Sequence, residues 1–312
     1  MKRVVLTGGA GFIGSHLADE LVERDYFITV LDDLSSGQLE NLEELRINSK
    51  KVEFIQGTIT DLSLLKSLFN NSLYVFHQAA IPSVPRSVDD PISSHEVNLT
   101  GTLNVLIAAR DCGVKKVVYA SSSSAYGDTP TLPKHEDMIP HPQSPYAVTK
   151  LAGEYYCDVF QETYGLSTAC LRYFNVYGPR QNPDSQYAAV IPKFVRSALD
   201  ENSPVIFGDG EQTRDFTFVK DVANMNILAA ENQKATGIFN VGTGESISIN
   251  QLARLIVEII GKDVQPEHLP ERTGDIKHSL ADISRAKRIG HTPKYNLRQG
   301  LTETIRATIE KA

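Results

Sequence analysis

The feature that most constrains this chain is a glycine-rich turn close to its start. A run with β-branched residues, Arg3–Thr7, leads directly into Gly8, Gly11 and Gly14, and an amphipathic stretch, Ile13–Arg24, follows. Glycines at this spacing let the turn tighten, let a ligand approach the backbone and let the next helix pack closely. A helix that begins here points its N-terminal N–H groups at whatever lies above the turn. The sequence therefore predicts a strand–turn–helix unit that binds phosphate.

The rest of the first half alternates short apolar runs with longer amphipathic stretches. The predicted strands are Arg3–Thr7, Phe27–Leu31, Val52–Gln56, Tyr74–His77, Lys116–Ser121 and Thr168–Arg172. The predicted helices are Ile13–Arg24, Leu62–Phe69 with Asp61 as its N-cap, Ser94–Cys112 and Pro145–Tyr164. Several of the strands are apolar almost throughout, as expected of strands covered on both faces. The alternation predicts an α/β fold with a doubly wound parallel sheet.

After Phe174 the alternation is lost, although helices are still predicted at Ile249–Ile260 and Leu297–Glu310. A length of 312 residues fits about two domains. We therefore expect a nucleotide-binding domain over residues 1–174, completed by residues 216–243, and a second, smaller α/β substrate-binding domain formed by residues 175–215 and 244–312.

Composition and charge exclude several classes of protein. The net charge is −7, and lysine and arginine are scattered, so neither nucleic acid nor a membrane surface is an expected partner. No apolar run is long enough to span a bilayer, and the start does not resemble a signal peptide. Three unpaired cysteines fit a reducing compartment, so a cytoplasmic location is expected. The eight histidines show no metal-ligand spacing, and no metal site is expected.

An acidic residue follows the second predicted strand. Asp32 lies 18 residues after Gly14, where a carboxylate can bind the 2′-hydroxyl of a ribose. Together with the glycine turn, it predicts dinucleotide binding. Asp33 and Leu34 follow instead of arginine or lysine, so a 2′-phosphate would meet repulsion. NAD is favoured over NADP.

A second pattern supplies a candidate base. Tyr146 and Lys150 are four residues apart on a predicted helix and share a face, so the ammonium group can lower the pKa of the phenol. Four serines, Ser121 to Ser124, lie at the carboxyl end of the fifth predicted strand, at the edge where open α/β sheets place ligands.

These motifs together resemble the extended short-chain dehydrogenases/reductases, and specifically the nucleotide-sugar 4-epimerases of the UDP-glucose/UDP-N-acetylglucosamine type. The resemblance covers essentially the whole chain. It rests on the glycine turn, the serine cluster before Tyr126-Gly127, Tyr146-x-x-x-Lys150 and Arg172-Tyr173-Phe174-Asn175. More specific motifs are Ser83-Val84-Pro85-Arg86-Ser87, Tyr187-Ala188-Ala189-Val190-Ile191-Pro192-Lys193 and Gly208-Asp209-Gly210-Glu211-Gln212-Thr213-Arg214-Asp215.

The resemblance implies a role for particular residues. Ser122 is the implied catalytic hydroxyl, with Ser123 and Ser124 as neighbours able to share its role, while Tyr146 is the base and Lys150 orients the ribose and tunes the phenol. The implied NAD-binding residues are Gly8, Gly11, Phe12, Ile13, Gly14, Asp32, Asp33, Ser35, Ser36, Gly37, Thr58, Ile59, Gln78, Ala79, Ala80, Asn98, Ser122, Tyr146, Lys150 and Phe174. The implied substrate-binding residues are Ser83, Arg86, Ser122, Ser123, Tyr146, Asn175, Ala189, Val190, Lys193, Arg214, Arg272, Asp275 and Ser279.

Two positions qualify the resemblance. Thr58 replaces an aspartate that usually binds the adenine amino group, so that hydrogen bond is not expected. Ser279 lies where epimerases restricted to unacetylated sugars resemble one another in carrying a tyrosine. A small side chain there implies room for an N-acetyl group.

The implied reaction inverts carbon 4 of a UDP-hexose. Tyr146 takes the hydroxyl proton, directly or through Ser122, and NAD⁺ accepts a hydride, giving a transient 4-keto sugar that is reduced again from the other face. The alternatives are a UDP-glucuronate 4-epimerase, a nucleotide-sugar 4,6-dehydratase and a non-catalytic dinucleotide-binding protein. A dehydratase would carry an Asp-Glu pair where this chain has Ser123 and Ser124. The resemblance also implies a homodimer that pairs the helices near Ser94–Cys112 and Pro145–Tyr164.

Overall fold

A computed structural model describes residues 2–182, 189–271 and 276–311 of the chain. The strands are β1 Lys2–Thr7, β2 Tyr26–Asp32, β3 Val52–Gln56, β4 Tyr74–His77, β5 Lys116–Ser122, β6 Ser167–Tyr173, β7 Val176–Tyr177, β8 Val205–Phe207, β9 Thr213–Arg214, β10 Thr217–Phe218, β11 Gly237–Val241, β12 Ile247–Ser248 and β13 Glu267–Leu269. The helices are α1 Phe12–Glu23, α2 Glu43–Asn48, α3 Leu62–Phe69, α4 Val84–Asp89, α5 Pro91–His95, α6 Gly101–Asp111, α7 Pro145–Tyr164, α8 Val190–Leu199, α9 Val219–Glu231, α10 Ile249–Ile260, α11 Ser284–Arg288 and α12 Leu297–Lys311.

Seven of these strands form one parallel sheet in the order β3-β2-β1-β4-β5-β6-β11. All six predicted strands belong to it, and the predicted doubly wound fold is confirmed. The strand order reverses between β1 and β4, so Thr7 is paired with Leu31 on one side and with His77 on the other. Open α/β sheets bind ligands in the crevice above such a reversal.

Helices cover both faces of the sheet, as its apolar strands require. On one face, Leu17 of α1 and Met225 of α9 lie in a single buried cluster with Val30 and Phe76 of the sheet. On the other, a second cluster contains buried side chains of α3, α6 and α7, among them Leu106 and Phe160. A third cluster, away from the sheet, joins α8, α10 and α12. The division into two domains stays a prediction.

The predicted helix Ser94–Cys112 is wrong at its start. The chain is already helical in α5, where Asp90 caps the N-terminus by accepting a hydrogen bond from the Ser93 N–H (3.1 Å). A π-helical turn, Glu96–Thr100, then separates α5 from α6. Within it, Asn98 binds both the N–H (2.7 Å) and the carbonyl (3.2 Å) of Ile81. The hydrogen bonds between Asn98 and Ile81 therefore accompany the π-helical turn, which an apolar sequence pattern does not predict.

The chain after Phe174 is more regular than its sequence indicates. The segment 216–243 contains β10, α9 and β11, and β11 extends the central sheet beside β6. The predicted loss of alternation is therefore wrong for this segment. Its sequence hides the pattern because α9 is buried along much of its length and β11 is only five residues long.

A buried ion pair ties α7 to the sheet. Arg172 of β6 donates from Nε (2.8 Å) and Nη2 (2.6 Å) to the two carboxylate oxygens of Glu154, and both side chains are 1% exposed. The Ser121 hydroxyl of β5 donates to the same carboxylate. One charged group therefore joins α7 to two adjacent strands just below the carboxyl edge of the sheet.

We predict that Glu154→Gln lowers the free energy of unfolding by about 3–5 kcal/mol, because it leaves Arg172 buried without a counter-charge. Urea unfolding followed by circular dichroism measures the loss. Glu162→Gln changes an exposed residue of the same helix and should cost less than about 0.5 kcal/mol. Equal losses in the two variants would contradict the role given to the pair.

Candidate active site

The glycine turn forms one wall of the crevice. Gly8 has a φ of +73°, and a Cβ built on it would come within 2.6 Å of the Ala79 nitrogen. A Cβ on Gly14 would come within 2.1 Å of the Gly8 carbonyl oxygen. Both contacts exclude a side chain. Helix α1 starts at Phe12 after Gly11, which provides no capping side chain, so the first N–H groups of the helix are available to an anion.

Asp32 lies beside this turn. Its Oδ2 accepts a hydrogen bond from the Ala10 N–H (2.9 Å), and its Oδ1 accepts one from the Leu34 N–H (2.9 Å). Burial raises the pKa of Asp32, and these backbone donors oppose that rise. A Cβ on Gly37 would lie 2.9 Å from Oδ1, so the loop folds back onto the carboxylate. The neighbouring predicted residues Asp33, Ser35 and Ser36 are exposed.

The opposite wall follows β3 and β4. Gln78, Ala79 and Ala80 come directly after β4 and are half-buried. The Thr58 hydroxyl is within 3.0 Å of the Thr60 hydroxyl, and Ile59 is buried. The structure therefore brings these residues to the crevice edge. Asn98 is 1% exposed, and its amide is committed to Ile81, so its side chain holds the loop after β4 in place.

A cavity of about 350 Å³ lies at the carboxyl ends of β5 and β6, and we call it the catalytic cavity. Its lining includes Ser122, Ser123, Tyr146, Asn175 and Ser279. Tyr146 occupies the first turn of α7, which begins at Pro145 under a Ser144 cap. Lys150 donates from Nζ to the Ala120 carbonyl (2.9 Å), 5.9 Å from the centre of the Tyr146 ring.

The electrostatics of Tyr146 differ from the sequence-based expectation. Burial raises the pKa of Tyr146, and a hydrogen bond from the Ser122 hydroxyl opposes the rise. Burial also lowers the pKa of Lys150 to about 7. In this structure desolvation acts against the charged form of each side chain, and the lowering of the Tyr146 pKa by Lys150 stays a prediction. Ser122 is the group that favours the phenolate.

Two other tyrosines line the catalytic cavity, and both are held by amide side chains. The Tyr126 hydroxyl donates to Asn240 Oδ1 (2.7 Å), and burial raises its pKa to about 12. Tyr173 forms a triangle with Gln78 (3.1 Å) and Asn226 (2.8 Å), and burial raises its pKa strongly. Sequence reasoning missed this triangle, because its members come from the loop directly after β4, from β6 and from α9. Tyr146 remains the best candidate base among the three.

A larger cavity of about 750 Å³ adjoins the catalytic cavity. Ala189, Val190 and Lys193 line it at the start of α8. Asn175, Val176 and Arg214 line both cavities. Asn175 has a φ of +31°, a region that asparagine tolerates, and its Nδ2 donates to the Asp215 carbonyl (3.0 Å). The predicted substrate residues on these segments therefore converge.

Several predicted residues lie elsewhere. Ser83 caps α4 by accepting a hydrogen bond from the Arg86 N–H (3.1 Å), and the Arg86 side chain is exposed. Phe174, in contrast, lines the catalytic cavity, although its side chain is fully buried beside Tyr126. Arg272 and Asp275 lie outside the described residues.

Comparison with known proteins identifies the family. Residues 4–242 match the NAD dependent epimerase/dehydratase family. The chain belongs to that family. The predicted family, the cofactor NAD and the enzyme class, an isomerase that acts on UDP-sugars, are confirmed. None of the helices in the described part of the chain combines the length and apolar character needed to cross a membrane.

Three members of this family are compared in detail. The structure of a UDP-N-acetylglucosamine 4-epimerase from Methanobrevibacter ruminantium, in complex with UDP-N-acetylmuramic acid, is 44% identical with a TM-score of 0.96, covering 100% of this chain and 99% of that one. A UDP-glucose 4-epimerase from Mycolicibacterium smegmatis is 42% identical over 97% of both chains. A UDP-glucuronate 4-epimerase from Thermodesulfobacterium geofontis is 37% identical over 98% of this chain and 95% of its own.

We predict that Ser122→Ala shifts the acid limb of the kcat/KM pH profile to higher pH. The ionised phenol of Tyr146 would lose the one hydrogen bond that favours it, so its pKa would rise further. Initial rates with a UDP-sugar between pH 5 and 10, about the span of these groups, measure the shift. Ser123→Ala is the matched control and should leave the limb in place. If the acid limb moves in neither variant, Ser122 has no role in the proton transfer.

Proposed function

We propose that the chain interconverts UDP-glucose with UDP-galactose and UDP-N-acetylglucosamine with UDP-N-acetylgalactosamine. The observation that carries the proposal is the pair of adjoining cavities, which share Asn175, Val176 and Arg214. The larger cavity suits a nucleoside, the shared residues suit a diphosphate, and the smaller cavity, with Tyr146, suits a hexose. A substrate held at its diphosphate could turn its hexose without leaving the site.

The residues of the crevice fit NAD. The turn at Gly8, Gly11 and Gly14 leaves space for a pyrophosphate beside the N-terminus of α1, and Phe12 and Ile13 begin that helix. Asp32 is placed to accept hydrogen bonds from a ribose, and no cation follows it at position 33. When bound, NAD supplies the hydride acceptor and donor for carbon 4.

Each of the polar groups at the catalytic cavity has a proposed task. Tyr146 holds the proton that leaves and returns to the hydroxyl at carbon 4, with Ser122 as its hydrogen-bond partner. Lys150 is anchored on the Ala120 carbonyl, where its Nζ can also reach a ribose hydroxyl. Arg214 and Lys193 bind the phosphates. The guanidinium group of Arg214 matches paired phosphate oxygens, and the ammonium group of Lys193 adds a positive charge.

Assembly and location extend the proposal. Val148, Tyr155 and Val159 are each at least 50% exposed on α7, and Ile92 of α5 is 79% exposed. We infer that these apolar side chains pack against a second copy, with α6 and α7 of both copies forming a four-helix bundle. A molecular mass equal to that of one protomer in light scattering would contradict this inference.

The cysteines support a cytoplasmic location, because all three are free thiols. Recovery of the protein in a secreted fraction would oppose that location.

The decisive experiment follows the anomeric proton signals by NMR after the purified protein is mixed with each UDP-sugar. We expect the galacto epimer from both UDP-glucose and UDP-N-acetylglucosamine. Tyr146→Phe should reduce turnover at least about a thousandfold, because it removes the best candidate base among the described residues of the catalytic cavity. Its circular dichroism spectrum should match that of the wild type. Conversion of UDP-glucuronate alone would instead favour the UDP-glucuronate 4-epimerase.

A second prediction concerns the width of the catalytic cavity. Ser279 is 9% exposed and lines that cavity, so Ser279→Tyr should fill space beside the hexose. We expect the variant to lose about a hundredfold in kcat/KM for UDP-N-acetylglucosamine while retaining UDP-glucose within about threefold, because overpacking affects the larger sugar. Ser279→Ala should retain both. Equal losses for the two sugars in Ser279→Tyr would show that Ser279 does not select the substrate.

A further inference from the structure

Asp215 is a fully buried carboxylate with no task in the proposed chemistry. Its Oδ1 accepts hydrogen bonds from the N–H (2.8 Å) and the hydroxyl (2.7 Å) of Thr243. Its Oδ2 accepts hydrogen bonds from the N–H groups of Gly244 (3.0 Å) and Ala281 (3.2 Å). Four donors from two distant segments therefore converge on one side chain.

These donors connect the central sheet to the wall of the catalytic cavity. Thr243 and Gly244 follow β11 at the sheet edge, and Ala281 is two residues after Ser279. A Cβ on Gly242 would lie 2.9 Å from Asp215 Oδ2 and 2.6 Å from the Ala281 Cβ. The carboxylate, the end of β11 and the Ser279 segment are therefore in direct contact, with no space for a side chain between them.

The main chain around Asp215 contacts the substrate side of the same wall. Its carbonyl accepts the hydrogen bond from Asn175, and Arg214 precedes it. Thr213 binds the Lys277 carbonyl through its N–H (3.0 Å), and its own carbonyl accepts a hydrogen bond from the Ser279 N–H (3.0 Å). One short segment thus positions Arg214, Asn175 and Ser279 together.

We propose that Asp215 is a positioning residue for sugar discrimination, which fixes Ser279 and Arg214 relative to the sheet on which α7, the helix of Tyr146, packs. The proposal rests on the UDP-hexose function given above. An ionised carboxylate can accept all four hydrogen bonds. An asparagine cannot, since its NH₂ group would face a backbone N–H, and a hydrogen bond to a charged group is among the stronger ones in proteins.

The test compares Asp215→Asn with Asp221→Asn. Asp221 is also buried and accepts hydrogen bonds from two backbone N–H groups, those of Lys294 (2.9 Å) and Tyr295 (3.2 Å), neither of which lines the two cavities. Isothermal titration calorimetry on the NAD-loaded enzyme gives the Kd for UDP-glucose and for UDP-N-acetylglucosamine. For Asp215→Asn we expect both Kd values to rise about tenfold, and the value for UDP-N-acetylglucosamine to rise about threefold further, because its acetyl group would lie against the Ser279 wall.

Asp221→Asn should leave the ratio of the two Kd values unchanged even if it lowers the melting temperature. An unchanged ratio in Asp215→Asn would overturn the proposal and leave Asp215 with a structural role only. If Asp215→Asn does not fold, Thr243→Val removes the hydroxyl donor to Asp215, together with the hydrogen bond that this hydroxyl accepts from the Glu245 N–H (3.1 Å), and leaves the three backbone donors in place. An unchanged ratio there overturns the proposal equally. Turnover is measured in parallel: a wild type that binds both sugars without epimerising them contradicts the proposed function, while the Kd ratio still decides the role of Asp215.

Discussion

The ion pair between Glu154 and Arg172 is the interaction on which the geometry of the catalytic edge depends. Tyr146, Lys150 and Glu154 follow one another at four-residue intervals, so they share one face of α7. Glu154 is fixed to β5 through Ser121 and to β6 through Arg172, which sets how far α7 can slide along the sheet. A slip of one helical turn, about 5.4 Å, would carry the phenol of Tyr146 away from Ser122. The charged pair is costly to bury, and its contribution is the register it enforces.

Three tyrosine side chains line the catalytic cavity at this edge, and only Tyr146 is proposed to act as the base. Asparagine and glutamine side chains bind the hydroxyl groups of Tyr126 and Tyr173, and burial raises the pKa of both phenols although these hydrogen bonds oppose the rise. Tyr146 is desolvated as well, but the partner found for it is a serine hydroxyl that can donate to the ionised phenol. Lys150 is held by the Ala120 carbonyl, with a pKa near neutrality. Its position beside Ser122 and Lys150, rather than its residue type, therefore distinguishes the candidate base from its two neighbours.

The sequence reveals the parts of this molecule that depend on local patterns. The glycine turn, the six strands and helix Pro145–Tyr164 all follow from spacing, apolar runs and capping residues that lie close together in the chain. The triangle of Gln78, Tyr173 and Asn226 could not be predicted in that way, since its members are up to 148 residues apart. The direction of the Tyr146 pKa shift was also out of reach, because it depends on burial by the whole fold and not on the spacing to Lys150.

The two halves of the site are built on different principles. The groups proposed to transfer the proton lie at the end of β5 and in the first turn of α7, where a parallel sheet and a buried ion pair leave little freedom. The groups proposed to contact the substrate come from β9, the loop after β6 and the segment around Ser279, which share few of the described backbone hydrogen bonds with the sheet. Such segments need an additional connection to keep a constant distance from the base. Asp215 is suited to that task, because a single buried carboxylate accepts hydrogen bonds from the sheet edge and from the cavity wall at once. Chemistry and selectivity can then vary separately, as long as that connection holds.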